Sequence, residues 1–109
     1  MSRITTHVLD TVLGRPAAGI AVKLERQQGG AWSEIGASAT DGDGRCLDLA
    51  PDAEAGTYRM TFATGKYFAR AGRTSIYPEI SIAFLCANEE HYHLPLLLSD
   101  NSYITYRGS

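Results

Sequence analysis

Short alternating apolar runs, each closed by a cluster of turn-forming residues, constrain this chain more than any other feature. Ile20 to Gln27 shows the pattern: Ile20, Val22 and Leu24 fall on one side of an extended chain, Lys23 and Glu25 on the other. Ile4 to Asp10, Trp32 to Ser38, Arg45 to Leu49, Glu79 to Cys86, His91 to Leu98 and Ser102 to Arg107 also read as strands. A further strand begins at Tyr58, with Met60 and Phe62 on its face. Breakers stand between them: Leu13-Gly14-Arg15-Pro16, Gly29-Gly30, Thr40-Asp41-Gly42-Asp43-Gly44 and Asn88-Glu89-Glu90. Only Gly65 to Gly72, with Tyr67, Phe68 and Ala71 at helical spacing, predicts a helix. About eight strands and one short helix specify an all-β sandwich.

The chain has 109 residues, with no linker, repeat or low-complexity segment, so residues 1–109 are expected to form a single domain. A domain of this size buries roughly two-thirds of its unfolded surface, enough for a core without staples. The net charge is -2 and no basic run occurs, which argues against nucleic acid and against an anionic membrane surface as partners. The opening MSRITTHVLD lacks the apolar stretch of a secretory leader, and a cytoplasmic location is expected. Cys46 and Cys86 stand in strands, form no CxxC, and are expected to be small core residues in a reducing compartment.

The last two strands carry apolar residues on both faces. Tyr92, Leu94, Leu96 and Leu98 form one; Pro95 and Leu97, with Ile104 from the final strand, belong to the other. An antiparallel sheet with one solvated face does not read this way. Too little chain remains to cover a second face, so a further subunit is expected there.

Chemistry-bearing residues gather on that second face. His91 and His93, two apart in a strand, point the same way as Pro95 and Leu97. His7 shares a face with Thr5 and Leu9. An imidazole in an interfacial cleft suits general base catalysis near neutral pH. His-x-His on a strand also suits zinc, and a structural His91 is the plainer alternative. Arg45 follows directly on the Asp-Gly-Asp-Gly turn; it is either a solvated surface charge or a fork of donors for a planar, oxygen-rich ligand.

Several segments resemble the 5-hydroxyisourate hydrolases. Ile4-Thr5-Thr6-His7-Val8-Leu9-Asp10 is similar to their opening motif, and His91-Tyr92-His93-Leu94-Pro95-Leu96-Leu97-Leu98-Ser99 to their second. Tyr106-Arg107-Gly108-Ser109 matches the tetrapeptide that closes them, and Gly44-Arg45 their internal arginine. Gly56-Thr57-Tyr58-Arg59 and Tyr67-Phe68 also fit, so the resemblance runs along essentially the whole chain. It implies the transthyretin (prealbumin)-like sandwich: two four-stranded sheets, one short helix, and a homotetramer with a central channel. It implies hydrolytic opening of the small molecule 5-hydroxyisourate to 2-oxo-4-hydroxy-4-carboxy-5-ureidoimidazoline in urate breakdown. Carried over by motif, His7, Arg45 and His93 are the catalytic set, and Tyr106 and Ser109 complete the substrate pocket. No metal and no organic cofactor is implied.

Transthyretin-type carriers of small aromatic hormones are the alternative within the same fold. They carry lysine where His7 stands, glutamate at Arg45, and threonine at His93 and Tyr106; here all four positions hold the residues of the enzymes. A structural interaction module is a third class, and it would have no use for His7, His93 and Arg45 around one pocket. One departure touches the expected channel. Where the enzymes read Pro-Tyr-Gly-Tyr-Ser after Ser99, this chain reads Asp100-Asn101-Ser102-Tyr103-Ile104, placing a branched aliphatic where a small polar residue is expected.

Overall fold

The computed structural model describes residues 1–109. Its strands are β1 (Ser2–Asp10), β2 (Arg15–Pro16), β3 (Ala21–Gln28), β4 (Ala31–Ala39), β5 (Arg45–Ala53), β6 (Gly56–Phe62), β7 (Ile80–Cys86), β8 (His91–Ser99) and β9 (Ser102–Thr105). One helix, α1 (Thr64–Arg70), joins β6 to the segment before β7. The first sheet runs β2-β1-β8-β9 with β5 also on β1, and the second runs β4-β3-β6-β7. The two-residue β2 pairs with Leu9 and Asp10, while β5 pairs with Ser2 to His7, so both lie end to end along one edge of β1. The first sheet is therefore four strands wide. The expected pair of sheets and the short helix are both present.

Alternation sorts β1 between two environments. Ile4 and Val8 point inward and are buried with Leu94, Leu96 and Leu98 of β8. Opposite them lie Val22 and Leu24 of β3, Met60 and Phe62 of β6, and Phe68 of α1, which closes one end. Cys46 and Cys86 are both buried in this core as free thiols. No helix is long and apolar enough to cross a membrane.

The end of β1 is fastened by charge. Asp10 is buried and accepts hydrogen bonds from Arg73 Nη1 at 2.5 Å, from the Tyr67 hydroxyl at 2.7 Å, and from the backbone N–H groups of Val12 and Leu13. Burial alone would raise its pKa. The bonds from Arg73, Tyr67 and Leu13 outweigh that and hold the carboxyl at about 2. Arg73 also reaches Asp100 in the β8–β9 turn at 2.5 Å. One guanidinium thus ties the helix end, β1 and that turn together.

The final strand is shorter than the alternation suggested. Ser102 to Arg107 was expected as strand, but β9 ends at Thr105 and Tyr106 lies beyond it. Pro95 gives the reason. The β8–β9 ladder pairs Leu96 with Thr105, which brings Pro95 opposite Tyr106, and proline has no N–H to donate. The Pro95 carbonyl is taken by the Thr105 hydroxyl at 2.8 Å. Three residues further on each strand the same register resumes, in an isolated bridge between His93 and Gly108.

Candidate active site

The outward face of the first sheet collects the residues singled out from sequence. β1 is the shared neighbour of β5 and β8, so it brings the segments around Arg45 and His93 together. His7 is the register partner of Arg45 across the antiparallel β1–β5 pair, and of Pro95 across the parallel β1–β8 pair. Directly paired residues on one face have Cβ atoms about 4.5–5.5 Å apart. Thr5 is the partner of His93. Arg45 is exposed and the adjacent Cys46 is buried, as alternation requires. Burial raises the pKa of the Cys46 thiol, which removes it from consideration as a nucleophile.

The turn before β5 positions both Arg45 and His7. Asp41 Oδ1 accepts the N–H groups of Asp43 and Arg45, each at 2.9 Å, and the Asp41 carbonyl accepts Gly44 N–H. Gly44 holds φ of 74° where a Cβ would stand 2.3 Å from the Val8 carbonyl oxygen. Only glycine allows that approach, which lets Val8 N–H reach the Gly44 carbonyl at 2.8 Å. The folded turn presents the Asp43 carbonyl to His7, whose Nε2–H donates to it over 2.8 Å. This bond requires a proton on Nε2 of His7.

His93 is more enclosed. Its Nδ1 lies 2.7 Å from Thr5 Oγ1, while the chain offers no hydrogen-bond partner to its Nε2. Burial, and then the positive charges of His91, His7, Arg45 and Arg3, lower its pKa below the ordinary histidine value. His91 is lowered too, by burial and by Arg3. The two rings stand 5.8 Å apart, centroid to centroid. No group of three or more His, Cys, Asp and Glu side chains converges anywhere in the chain to hold a metal.

The C-terminal tail passes beside His93. Gly108 N–H donates to the His93 carbonyl at 2.7 Å, and Arg107 donates to the His91 carbonyl at 3.3 Å while stacking on the Tyr92 ring. Tyr106 and Ser109 are exposed on this tail. The structure thus gathers His7, Arg45 and His93 on one face and runs the segment bearing Tyr106 and Ser109 along its β8 side. The sequence assigned no role to Thr5, to Gly108 by itself or to the Asp43 carbonyl. Thr5 was legible in part, since it alternates with His7 on β1; the other two act through the backbone.

Two sheets face to face with this strand order, bearing imidazoles and a guanidinium on an outer sheet face, define a transthyretin-type sandwich equipped for acid–base chemistry. Residues 4–108 match the model of the HIUase/Transthyretin family, and the chain belongs to that family. The 5-hydroxyisourate hydrolase of Salmonella dublin is 42% identical over 109 residues, covering 97% of this chain and 80% of that protein. The structure of Klebsiella pneumoniae 5-hydroxyisourate hydrolase superposes with a TM-score of 0.91 at 38% identity, covering all of both chains. Sea bream transthyretin in complex with thyroxine gives a TM-score of 0.93 at 32% identity, covering 97% of this chain and 94% of that one. The backbone is common to the hydrolase and to the thyroxine-bound transthyretin, so side chains must separate them.

Proposed function

We infer that this protein is a hydrolase that opens 5-hydroxyisourate to 2-oxo-4-hydroxy-4-carboxy-5-ureidoimidazoline in urate degradation. The observation that carries this is the placement of His7, Arg45 and His93 on one outward face of three adjacent strands.

Hydrolysis needs an activated water, a cation for the oxyanion, and a proton for the departing nitrogen. His93 is the base. Its Nε2 is unengaged by the chain, and its lowered pKa keeps the ring neutral near pH 7. It takes a proton from water, whose oxygen attacks the acyl carbon. The Arg45 guanidinium binds the developing oxyanion. His7, tied to the Asp43 carbonyl through Nε2–H, orients the substrate or the water with its Nδ1 lone pair, and the carbon–nitrogen bond breaks as the proton that His93 took from water passes to the leaving nitrogen. Tyr106 and Ser109 close the pocket from the tail.

The site is completed in a homotetramer. Ile104 is 61% exposed and Leu47 52% exposed on the outer face of the first sheet, beside the partly covered Leu9 and Leu97. An apolar sheet face of this kind calls for a second copy. Sedimentation as a monomer at micromolar concentration would contradict this. The free buried thiols fit a cytoplasmic location.

The deciding experiment generates 5-hydroxyisourate with urate oxidase and follows its absorbance with and without this protein. Catalytic amounts should accelerate the decay, and His93→Asn should lower the acceleration by about 10²–10⁴-fold in a folded protein. An unchanged decay rate with the wild-type protein would refute the assignment.

A further inference from the structure

The hydroxyl of Thr5 sits between two imidazoles. Its Oγ1 is 2.6 Å from Nε2 of His91 and 2.7 Å from Nδ1 of His93. Thr5 is fully buried although it points to the outer face of its sheet. It is the register partner of His93, so strand pairing holds it in place.

A hydroxyl has a single proton to give. With two ring nitrogens at hydrogen-bond distance, Thr5 donates to one and accepts from the other. Two arrangements satisfy every partner. In the first, Thr5 donates to His91 Nε2 and accepts from His93 Nδ1–H, which leaves the His93 Nε2 lone pair free. In the second, His91 Nε2–H donates to Thr5, Thr5 donates to His93 Nδ1, and the proton of His93 sits on Nε2. Only the first makes His93 a base at Nε2.

We propose that Thr5 and His91 are positioning residues that hold His93 in its Nδ1–H form through a single shared hydroxyl. A neutral His91 accepts the Thr5 proton and so bares His93 Nε2. A protonated His91 carries hydrogens on both nitrogens, forces Thr5 to donate the other way, and turns His93 Nε2 into a donor. The charge state of one ring therefore sets the proton position on the other. The groups facing the pair favour the neutral state. Arg3 and His7 on β1, Arg45 on β5, and Arg107 on the tail all carry or can carry positive charge, and both rings titrate below the ordinary value. The proposal rests on His93 being the base, and it gives His91 and Thr5 a role that neither spacing nor motif assigned.

The test reads the tautomer directly. Protein labelled with ¹⁵N histidine is examined by long-range proton–nitrogen correlation at about pH 8, where the His91 and His93 rings, lowered below the ordinary value, are neutral. Wild-type His93 should carry its proton on Nδ1. Thr5→Val and His91→Phe should move it to Nε2, the form that free imidazole side chains prefer. Thr5→Ser should keep it on Nδ1. In turnover, Thr5→Val should lower kcat by about 10²-fold with KM little changed, and Thr5→Ser should restore most of it. A wild-type His93 protonated on Nε2 would overturn the proposal. So would variants that lose turnover while the ring spectrum stays as in the wild type, since that is how a packing role behaves. Should Thr5→Val fold poorly, the wild-type and Thr5→Ser spectra still decide. The spectra need no substrate, so an error in the substrate assignment would show separately, as the expected tautomer in a protein that leaves 5-hydroxyisourate untouched.

Discussion

Gly108 N–H donates to the carbonyl of His93 over 2.7 Å, so the end of the chain is fastened to the same strand position that presents the proposed base. A Cβ at Gly108 would stand 2.8 Å from His93 Cδ2, and 3.1 and 3.2 Å from Pro95 Cγ and Cδ. The tail therefore lies against the flank of the imidazole, and only a residue without a side chain fits.

Gly108→Ala should displace either the tail or the ring. The ring is anchored at Nδ1 by Thr5, so it has little room to give. Turnover should fall by about tenfold, because small misplacements of reacting groups cost heavily in rate. Thermal stability should barely change, since the contact lies outside the sandwich core. Comparing kcat and melting temperature for the Ala variant and the wild type checks this; a full-rate variant would show that the tail does not set the ring.

The pH dependence has a definite sign. His93 acts as base only when neutral, and its pKa lies below the ordinary histidine value through burial and nearby positive charge. The value of kcat/KM should stay level through neutrality and fall as pH drops through a midpoint below about 6.5. An acid limb centred above that value would contradict the assignment of His93.

Asp10 should govern acid stability. Its carboxyl is held at about 2, so its contribution is fully present above the usual carboxylate range and is lost as pH falls from there toward 2. A buried carboxylate held that far down contributes about 2 kcal/mol. Asp10→Asn should lower the unfolding free energy at neutral pH by about that amount and flatten its acid dependence between about pH 4 and 2. Urea titrations of both proteins across this range measure it.

Tyr106 is 52% exposed on the tail. If its hydroxyl holds substrate, Tyr106→Phe should cost about 1–2 kcal/mol, roughly tenfold in kcat/KM. Tyr106→Thr, which also removes the ring, should cost more. Two variants with full turnover would reduce Tyr106 to a packing residue.

The period-two alternation of β1 and β8 determined a great deal by itself. It set which side chains enter the core, placed His7 with Thr5, and placed His91 with His93 and Pro95. It also exposed the doubly apolar last strands. These are local properties, because neighbouring residues of a strand alternate whatever the strand pairs with. Pairing partners and register were decided only by the tertiary structure. The parallel β1–β8 contact sets Thr5 beside His93, although 88 positions separate them. The antiparallel β1–β5 contact brings Arg45 to His7, and Pro95 interrupts the last ladder so that Gly108 rejoins it at His93. Such choices depend on how both sheets bury their apolar faces at once, and no short segment carries that information. Residue types announced an imidazole–guanidinium chemistry, whereas which nitrogen holds the proton rests on a threonine that only folding brings into line.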